Sequence, residues 1–287
     1  MRFLLRVFVP FLLAAASVPA AEAEPMRVVC VEAVWCNIAA QIGGTFVQTH
    51  ALITTPGIDP HELSPTPSMA RLISGASIAV INGATYDDWA FPLSSSASTT
   101  LSAAHEAGWK AGDNPHLFLD PEAVRRVAHA LTDLMIHKDG DHIADFSKNL
   151  AAFEGHIDTI TAQARQLSVQ HPDTPIAAAE PVGMPLFEEA GMHVVDPDFA
   201  FAVMRHTEPS PRDVAVLEQA LEQRKVRMLV LNPSIRSPQI DRLTEQASSA
   251  GIPVLQVGET LPPGLSWQGW LSSILNEAGK VLDAPVH

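Results

Sequence analysis

Short apolar runs alternate along the chain with segments whose apolar residues recur at helical spacing. Runs rich in β-branched residues predict strands at Val28–Val31, Thr49–Thr54 and Ile78–Ile81. Helical spacing of apolar residues predicts helices at Trp35–Ile42 and Ser68–Ile73. Because strands that alternate with helices usually form parallel sheets, this part of the chain is expected to be an α/β unit.

The same alternation returns after Pro172. Further strands are predicted at Ile176–Ala179, Val194–Val195, Arg227–Leu231 and Val254–Val257, with a helix over Asp213–Arg224. The predicted fold class is therefore α/β, with two lobes that are each a mainly parallel sheet flanked by helices.

Two longer helices are predicted between these halves, over Pro121–His137 and His142–Leu167, with Lys138–Asp141 as the turn. The second would be about 40 Å long at 1.5 Å per residue, enough to join two lobes as a rigid strut. An ordinary surface helix of one domain is the alternative. The expected division is an N-terminal metal-binding lobe over residues 24–136, a linking helix over 137–170 and a C-terminal metal-binding lobe over 171–287.

The first residues have the order of a secretory signal peptide. Arg2 and Arg6 precede an apolar run, Val7–Val18, which leads into small residues ending near Ala23. The run is shorter than the ~20 apolar residues that cross a bilayer. Residues 1–23 are therefore predicted to be a cleavable signal peptide, and the periplasm is the expected location. No cysteine at the end of the run offers a site for lipid attachment.

Charge, cysteines and missing motifs narrow the possible functions. The formal net charge is −14, which argues against nucleic acid as a partner. Cys30 and Cys36 are the only cysteines, and their spacing fits no zinc ribbon or CxxC motif, which leaves a local disulfide or two buried thiols. The sequence has no GxGxxG, GxSxG or HExxH motif, which weakens an enzymatic interpretation.

Two histidines lie in turns framed by prolines. His61 follows a predicted strand and precedes a helix that Thr66 can cap, and His116 lies just before the helix that begins at Pro121. Both imidazoles are expected at a sheet edge, where open α/β folds place their ligands. Fixed backbone around a side chain reduces the entropy lost on binding. Solvated surface histidines are the alternative for both.

The segments around these histidines resemble the motifs of a known family. Residues 59–68 read DPHELSPTPS and residues 114–121 read NPHLFLDP. They are similar to the DPHxxxPTPS and NPHxWLDP motifs of the cluster A-I solute-binding proteins, the zinc and manganese receptors of ABC importers, with Phe118 in place of the common tryptophan. The resemblance covers essentially the whole mature chain. It implies two α/β lobes joined by one rigid helix, with the metal between them.

The resemblance also implies a ligand set and partners. His61 and His116 would bind the ion from the first lobe, while Glu180 occupies the position of the third ligand and Glu259 that of the fourth. A strand-ending surface acid and an exposed loop acid are the respective alternatives for these two glutamates. The implied ligand is one divalent ion, Zn²⁺ or Mn²⁺, which the chain, a monomer, would deliver to the membrane permease of an ABC importer.

The identity of the metal stays open at this point. Glu180 replaces the histidine common in zinc receptors, and Leu93–Asp113 lacks their histidine-rich loop, since it holds only His105. Intrinsic affinity nevertheless favours zinc over manganese. Because imidazoles must be neutral to bind, affinity is expected to fall below a pH of ~6.5.

Three other histidines are not expected to bind the ion, and two other functions would fit the same residues. His137 and His142 are predicted to be solvated helix ends rather than an accessory metal site, and His206 to line the cleft without binding the ion. One alternative function is a periplasmic zinc hydrolase, in which two histidines and one glutamate leave a metal position for water. Another is an adhesin or metallochaperone with the same fold.

Overall fold

A computed structural model describes residues 24–55 and 57–284. The predicted signal peptide, residues 1–23, lies outside the described residues. Within the part of the chain that the structure describes, none of the helices combines the length and the apolar character needed to cross a membrane.

The first half of the chain forms a four-stranded parallel sheet. Its strands are β1 (Met26–Glu32), β2 (Val47–Ile53), β3 (Ile78–Ile81) and β4 (Thr100–Ser102). Their spatial order is β2-β1-β3-β4, with Val28 of β1 opposite Thr49 of β2 and Ile78 of β3. Residues 28–32 of β1 and all of β3 are buried, as expected for parallel strands covered by helices on both faces.

The helices of this half connect and cover those strands. They are α1 (Ala33–Gly43), α2 (Pro67–Ser74), α3 (Phe91–Ser94), α4 (Ala103–Ala107) and α5 (Pro121–Lys138). Thr66 caps α2 as the sequence predicts, because its hydroxyl accepts the backbone N–H of Met69 at 3.3 Å and Pro67 fills the first turn.

The second half repeats the topology of the first. Strands β5 (Thr174–Ala178), β6 (Met192–Val194), β7 (Leu229–Leu231) and β8 (Val254–Gln256) form a parallel sheet in the order β6-β5-β7-β8. The helix that follows α5 along the chain is α6 (Ile143–Gln170), and those of the second half are α7 (Met184–Glu189), α8 (Pro197–Met204), α9 (Pro211–Glu222), α10 (Pro238–Ser249) and α11 (Trp267–Asp283).

Helix α6 is the long helix expected between the two sheets. Its 28 residues correspond to about 42 Å at 1.5 Å per residue. Its apolar face, which includes Phe153, Ile157 and Ile160, is buried, and the helix contacts α1 and α5 from the first half and α7 and α11 from the second. The α/β fold class and the long linking helix are thus confirmed, whereas the lobe boundaries at 136 and 170 stay a prediction.

The C-terminal helix α11 returns to the first half of the molecule. Trp267 is fully buried, and its indole Nε1 donates to the carbonyl of Phe118 at 2.8 Å. Its backbone N–H donates to Asn37 Oδ1 on α1 at 2.9 Å. One hydrophobic cluster therefore continues from the first sheet through α6 and α11 to the second sheet.

The two cysteines are joined in a disulfide that spans the end of β1 and the start of α1. The Cα atoms of Cys30 and Cys36 lie 5.5 Å apart, and both residues are buried. Of the two alternatives left open by the sequence, the structure therefore has the disulfide.

Candidate metal centre

His61 is held by its own turn. It lies in a short 3-10 turn, Pro60–Glu62, whose N-terminus is capped by Asp59, because the Asp59 carboxylate accepts the backbone N–H of His61 at 2.8 Å. The carbonyl of Pro60 accepts the indole N–H of Trp89 at 3.0 Å, which anchors the turn to the first lobe. The proline and the aspartate of the motif therefore fix the backbone of the histidine.

The two ring nitrogens of His61 have different surroundings. Its Nδ1 lies 3.1 Å from the carbonyl of Thr85, so Nδ1 carries the proton and Nε2 keeps a lone pair. That Nε2 is buried and has no hydrogen-bond partner. Burial is the largest influence on this residue and lowers the pKa of His61. The ring is therefore neutral and suited to bind a cation.

His116 is fully buried and oriented by Asn114. Asn114 Oδ1 accepts both the backbone N–H of His116 at 3.0 Å and its ring Nδ1 at 2.8 Å. The amide of Asn114 in turn donates to the carbonyl of Pro181 in the second lobe at 2.6 Å. Asn114 therefore fixes the ring of His116 and ties its turn to the opposite lobe, as outer partners of metal-binding histidines do.

The second nitrogen of His116 faces two carboxylates of the second lobe. His116 Nε2 lies 2.8 Å from Glu259 Oε1 and 3.7 Å from Glu180 Oε1. Burial lowers the pKa of His116, but the hydrogen bond to Glu259 and the charges of both glutamates outweigh it, so that the pKa is raised overall. A metal ion at this nitrogen would displace the proton that Nε2 shares with Glu259.

The two carboxylates respond to the same surroundings in opposite ways. Burial and the charge of Glu259 raise the pKa of Glu180 to about 7. Burial also acts to raise the pKa of Glu259, but the hydrogen bond and the charge of His116 outweigh burial and lower it. Both side chains are almost completely buried, with exposures of 1% and 2%. Acids buried in this way need a cation or a proton as a partner.

Three of the four predicted ligands converge on one point. The ligand atoms of His61, His116 and Glu259 all lie within 4.8 Å of one another. Glu180 is not part of this group of three, but its Oε1 lies 3.7 Å from His116 Nε2. Like His61 Nε2, Glu259 Oε2 is buried without a hydrogen-bond partner, and these two orphaned atoms fit a bound cation.

The remaining histidines do not join this group. Among residues 24–55 and 57–284 it is the only cluster of three or more potential metal ligands, so none is seen at His137 and His142. His142 instead stacks on Phe46 and hydrogen-bonds Asp139 at 2.7 Å. His206 lies near the cleft, with its ring centroid 6.4 Å from that of His61.

Sequence reasoning missed the asparagines that orient the ligands. Asn114 belongs to the second histidine motif, and Asn232 directly follows strand β7. The amide of Asn232 donates to Glu180 Oε2 at 2.6 Å, and Asn232 is 1% exposed. The signal in the sequence was its position directly after the predicted strand Arg227–Leu231, since open α/β folds place ligands at the carboxyl ends of their strands.

The chain matches the model of a known protein family over most of its length. The model of ZnuA, described as the zinc-uptake complex component A, periplasmic, matches residues 28–278. The chain belongs to this family. The match extends from β1 into α11, so the zinc-uptake component family accounts for both sheets and the helix between them.

Two curated relatives are about one-fifth identical to this chain, and only one of them is named for a particular metal. The metal ABC transporter substrate-binding lipoprotein SsaB of Streptococcus sanguinis is 22% identical over 232 residues, which cover 75% of this chain and 74% of that protein. The manganese ABC transporter substrate-binding lipoprotein PsaA of Streptococcus pneumoniae is 22% identical over 235 residues, with the same coverage. These relatives are the substrate-binding components of metal importers.

Solved structures share the fold. The periplasmic zinc-binding protein TroA of Treponema pallidum superposes with a TM-score of 0.73 at 15% identity, covering 91% of this chain and 100% of that chain. FpvC of Pseudomonas aeruginosa in complex with Mn²⁺ gives 0.73 at 18% identity, covering 90% and 98%. This chain therefore shares its fold with these two metal-binding proteins.

Proposed function

We propose that this protein captures one divalent transition metal, Zn²⁺ or Mn²⁺, between its two lobes and delivers it to the permease of an ABC importer. The observation that carries the proposal is the convergence of His61 and His116 from the first lobe with Glu259 from the second, within 4.8 Å of one another. Membership of the zinc-uptake component family and the names of the curated relatives support the same function.

Each ligand has a defined role in this proposal. His61 Nε2 and His116 Nε2 supply nitrogen lone pairs, and Glu259 and Glu180 supply carboxylate oxygens. Two neutral imidazoles and two carboxylates cancel the charge of a divalent ion, which lowers the cost of burying it. Because the ligands come from both lobes, the ion stabilises the closed arrangement of the cleft, and closure would signal to the permease that the receptor is loaded.

Location and assembly follow the family. We infer that residues 1–23 are a cleaved signal peptide and that the mature chain acts in the periplasm as a monomer. The net charge of −14 agrees with a partner other than nucleic acid.

The geometry does not favour a hydrolase. A zinc hydrolase needs a metal-bound water that faces a substrate. His116, Glu180 and Glu259 are instead 0–2% exposed and lie between the lobes. An adhesin or metallochaperone would use the same site, and permease and ATPase genes beside the gene for this chain would distinguish a transport receptor from these.

The test is a titration of the metal-free mature protein against chelators that compete for Zn²⁺ and Mn²⁺. His61→Ala is expected to weaken binding more than about 100-fold, because changes in even the outer partners of a metal site cost 10–100-fold. The matched control is His129→Ala, since His129 is exposed and bonded to Glu154 on the surface. Wild-type affinity in His61→Ala would overturn the ligand set, and elemental analysis of protein from its native periplasm would identify the ion.

A further inference from the structure

We infer that Asn232 is a positioning residue that selects the metal, because it restrains Glu180 to offer one oxygen and so favours a four-coordinate ion such as Zn²⁺ over Mn²⁺. The inference rests on the proposed function, since it concerns the ion that the same cleft receives. It addresses the choice of metal, which the ligand types leave open.

The position of Asn232 follows from the topology of the second sheet. Strand β7, which ends at Leu231, lies between β5, which leads to Glu180, and β8, which leads to Glu259. The carboxyl ends of parallel strands meet at one edge of a sheet. Asn232 therefore lies at the edge from which both carboxylates reach the cleft.

The two ends of the Asn232 side chain have distinct partners. Its Oδ1 accepts the backbone N–H of Ser234 at 3.0 Å, which leaves Nδ2 as the end that faces Glu180. Nδ2 donates to Glu180 Oε2 at 2.6 Å, and both residues are buried. The same side chain also lies close enough to Glu259 to help lower the pKa of that carboxyl group, but its short hydrogen bond is to Glu180. The amide cannot turn around without losing two buried hydrogen bonds, and such losses are costly where water cannot replace them.

The two carboxylate oxygens of Glu180 therefore have different partners. Oε2 is bound to the amide, whereas Oε1 is the oxygen 3.7 Å from His116 Nε2. A carboxylate oxygen can accept a hydrogen bond and bind a cation through different lone pairs, but the bond to Asn232 fixes the carboxyl group with Oε1 towards His116 and Oε2 towards the amide. To bring both oxygens to the ion, the carboxyl group would have to rotate and stretch this buried bond. One-oxygen binding is therefore the arrangement that the protein stabilises.

The number of ligand atoms then separates the two metals. One nitrogen from each histidine and one oxygen from each glutamate make four ligands, which suits tetrahedral Zn²⁺. If Glu259 also binds through its unpartnered Oε2, the protein still offers only five. Mn²⁺ prefers octahedral, oxygen-rich sites. Six protein ligand atoms would require both oxygens of Glu180 to bind the ion, and the hydrogen bond from Asn232 opposes that arrangement.

The experiment compares the mature wild-type protein with Asn232→Leu and Asn232→Ser, both of which remove the amide donor. Competitive titrations give the ratio of Zn²⁺ to Mn²⁺ affinity. We expect this ratio to fall about 10-fold or more in both variants, in line with the 10–100-fold effects of outer partners on metal sites. Asn276→Leu is the matched control, because Asn276 is an exposed, hydrogen-bonded asparagine on α11.

A spectroscopic readout separates this role from a purely structural one. Co²⁺ bound to the wild-type protein is expected to show the intense visible bands of a four-coordinate ion, and the variants the weak bands of higher coordination. A six-coordinate wild-type spectrum, or an unchanged ratio and spectrum in a folded variant, would overturn the role of Asn232 alone. A wild-type protein that binds neither Zn²⁺ nor Mn²⁺ would overturn the proposed function itself.

Discussion

At the scale of single residues, a pair of buried acids lies behind the turn that orients His61. Glu32 ends strand β1 and is 4% exposed, and neither of its carboxylate oxygens has a hydrogen-bond donor. Asp87 accepts the backbone N–H groups of Asn82 at 2.9 Å and Gly83 at 2.6 Å. Asp87 therefore carries the charge of the pair and holds the loop that leads to Thr85, while Glu32 keeps a proton.

The pKa values support this division. Burial and the charge of Asp87 raise the pKa of Glu32 well above its ordinary value, and burial raises the pKa of Asp87 to about 6. A carboxyl group whose pKa is raised by folding adds stability that is complete below its unfolded pKa, ~4.3 for glutamate, and is lost as the pH rises through the folded pKa.

We therefore predict that Glu32→Gln flattens the pH dependence of stability. As the pH rises above ~4.3, the wild-type free energy of unfolding should fall, and the contribution of Glu32 to this fall should reach up to ~1.4 kcal/mol per pH unit. The variant should lack that decrease, so its free energy of unfolding should rise relative to that of the wild type as the pH increases. Urea unfolding of the metal-free proteins measures this, with exposed Glu222→Gln as a control for the loss of one charge. Parallel wild-type and Glu32→Gln curves would contradict the prediction.

At the scale of elements, several residues of the histidine motifs start helices and turns. Asp59 caps the turn of His61, Thr66 caps α2 and Asp120 caps α5. Asp120 Oδ1 accepts the backbone N–H groups of Glu122 at 2.9 Å and Ala123 at 3.2 Å. Each motif therefore contains both a predicted metal ligand and a capping residue that fixes the backbone next to that ligand.

Removing the cap of α5 should affect stability more than metal binding. Asp120→Ala is expected to lower the free energy of unfolding by about 1 kcal/mol, because two backbone N–H groups lose their acceptor. Asp120→Asn, which keeps an acceptor oxygen, should retain most of that stability. Urea unfolding and a Zn²⁺ titration of both variants are the measurements. A loss of affinity in Asp120→Ala as large as that of His116→Ala would instead assign Asp120 a direct part in binding.

At the scale of the whole molecule, the two halves share one core. The ring of Trp267 lies 5.4 Å from that of Phe153 on α6, and Trp270 stacks on Phe118 of the first half at 5.9 Å. Gln41 and Gln268 exchange amide hydrogen bonds between α1 and α11 at 2.9 and 3.1 Å. The last helix of the chain is therefore part of the packing of the first lobe, and the two lobes are expected to unfold together.

Because α11 packs against the first lobe, the two lobes are expected to unfold cooperatively. Trp267→Ala should lower the free energy of unfolding by about 3–5 kcal/mol, the usual cost of deleting a buried aromatic side chain. Both wild type and variant should unfold in one transition when circular dichroism and tryptophan fluorescence are followed in urea. Trp267→Phe, which keeps most of the volume but loses the bond to Phe118, should cost less. Two separate wild-type transitions would show that the lobes fold independently.

Most of the local structure could be predicted from the sequence. The strands and helices predicted from apolar periodicity begin and end within three residues of those observed. Periodicity and turn chemistry act over a few residues, so a single sequence displays them directly. By contrast, strand β4 and the helices α3, α4, α8, α10 and α11 were not predicted. Strand β4 and helices α3 and α4 are too short to show a period, whereas α10 and α11 are longer and bury one face, so their apolar spacing could have been recognised.

Contacts between residues far apart in the chain, in contrast, are visible only in the folded structure. The sequence suggested His61, His116, Glu180 and Glu259 through a resemblance, but the fold brings three of them within 4.8 Å and leaves Glu180 beside His116. Likewise, the amide of Asn232 reaches Glu180, and α11 packs against the first lobe. Such contacts depend on strand order and on the packing of segments up to 230 residues apart, and no local pattern encodes those distances.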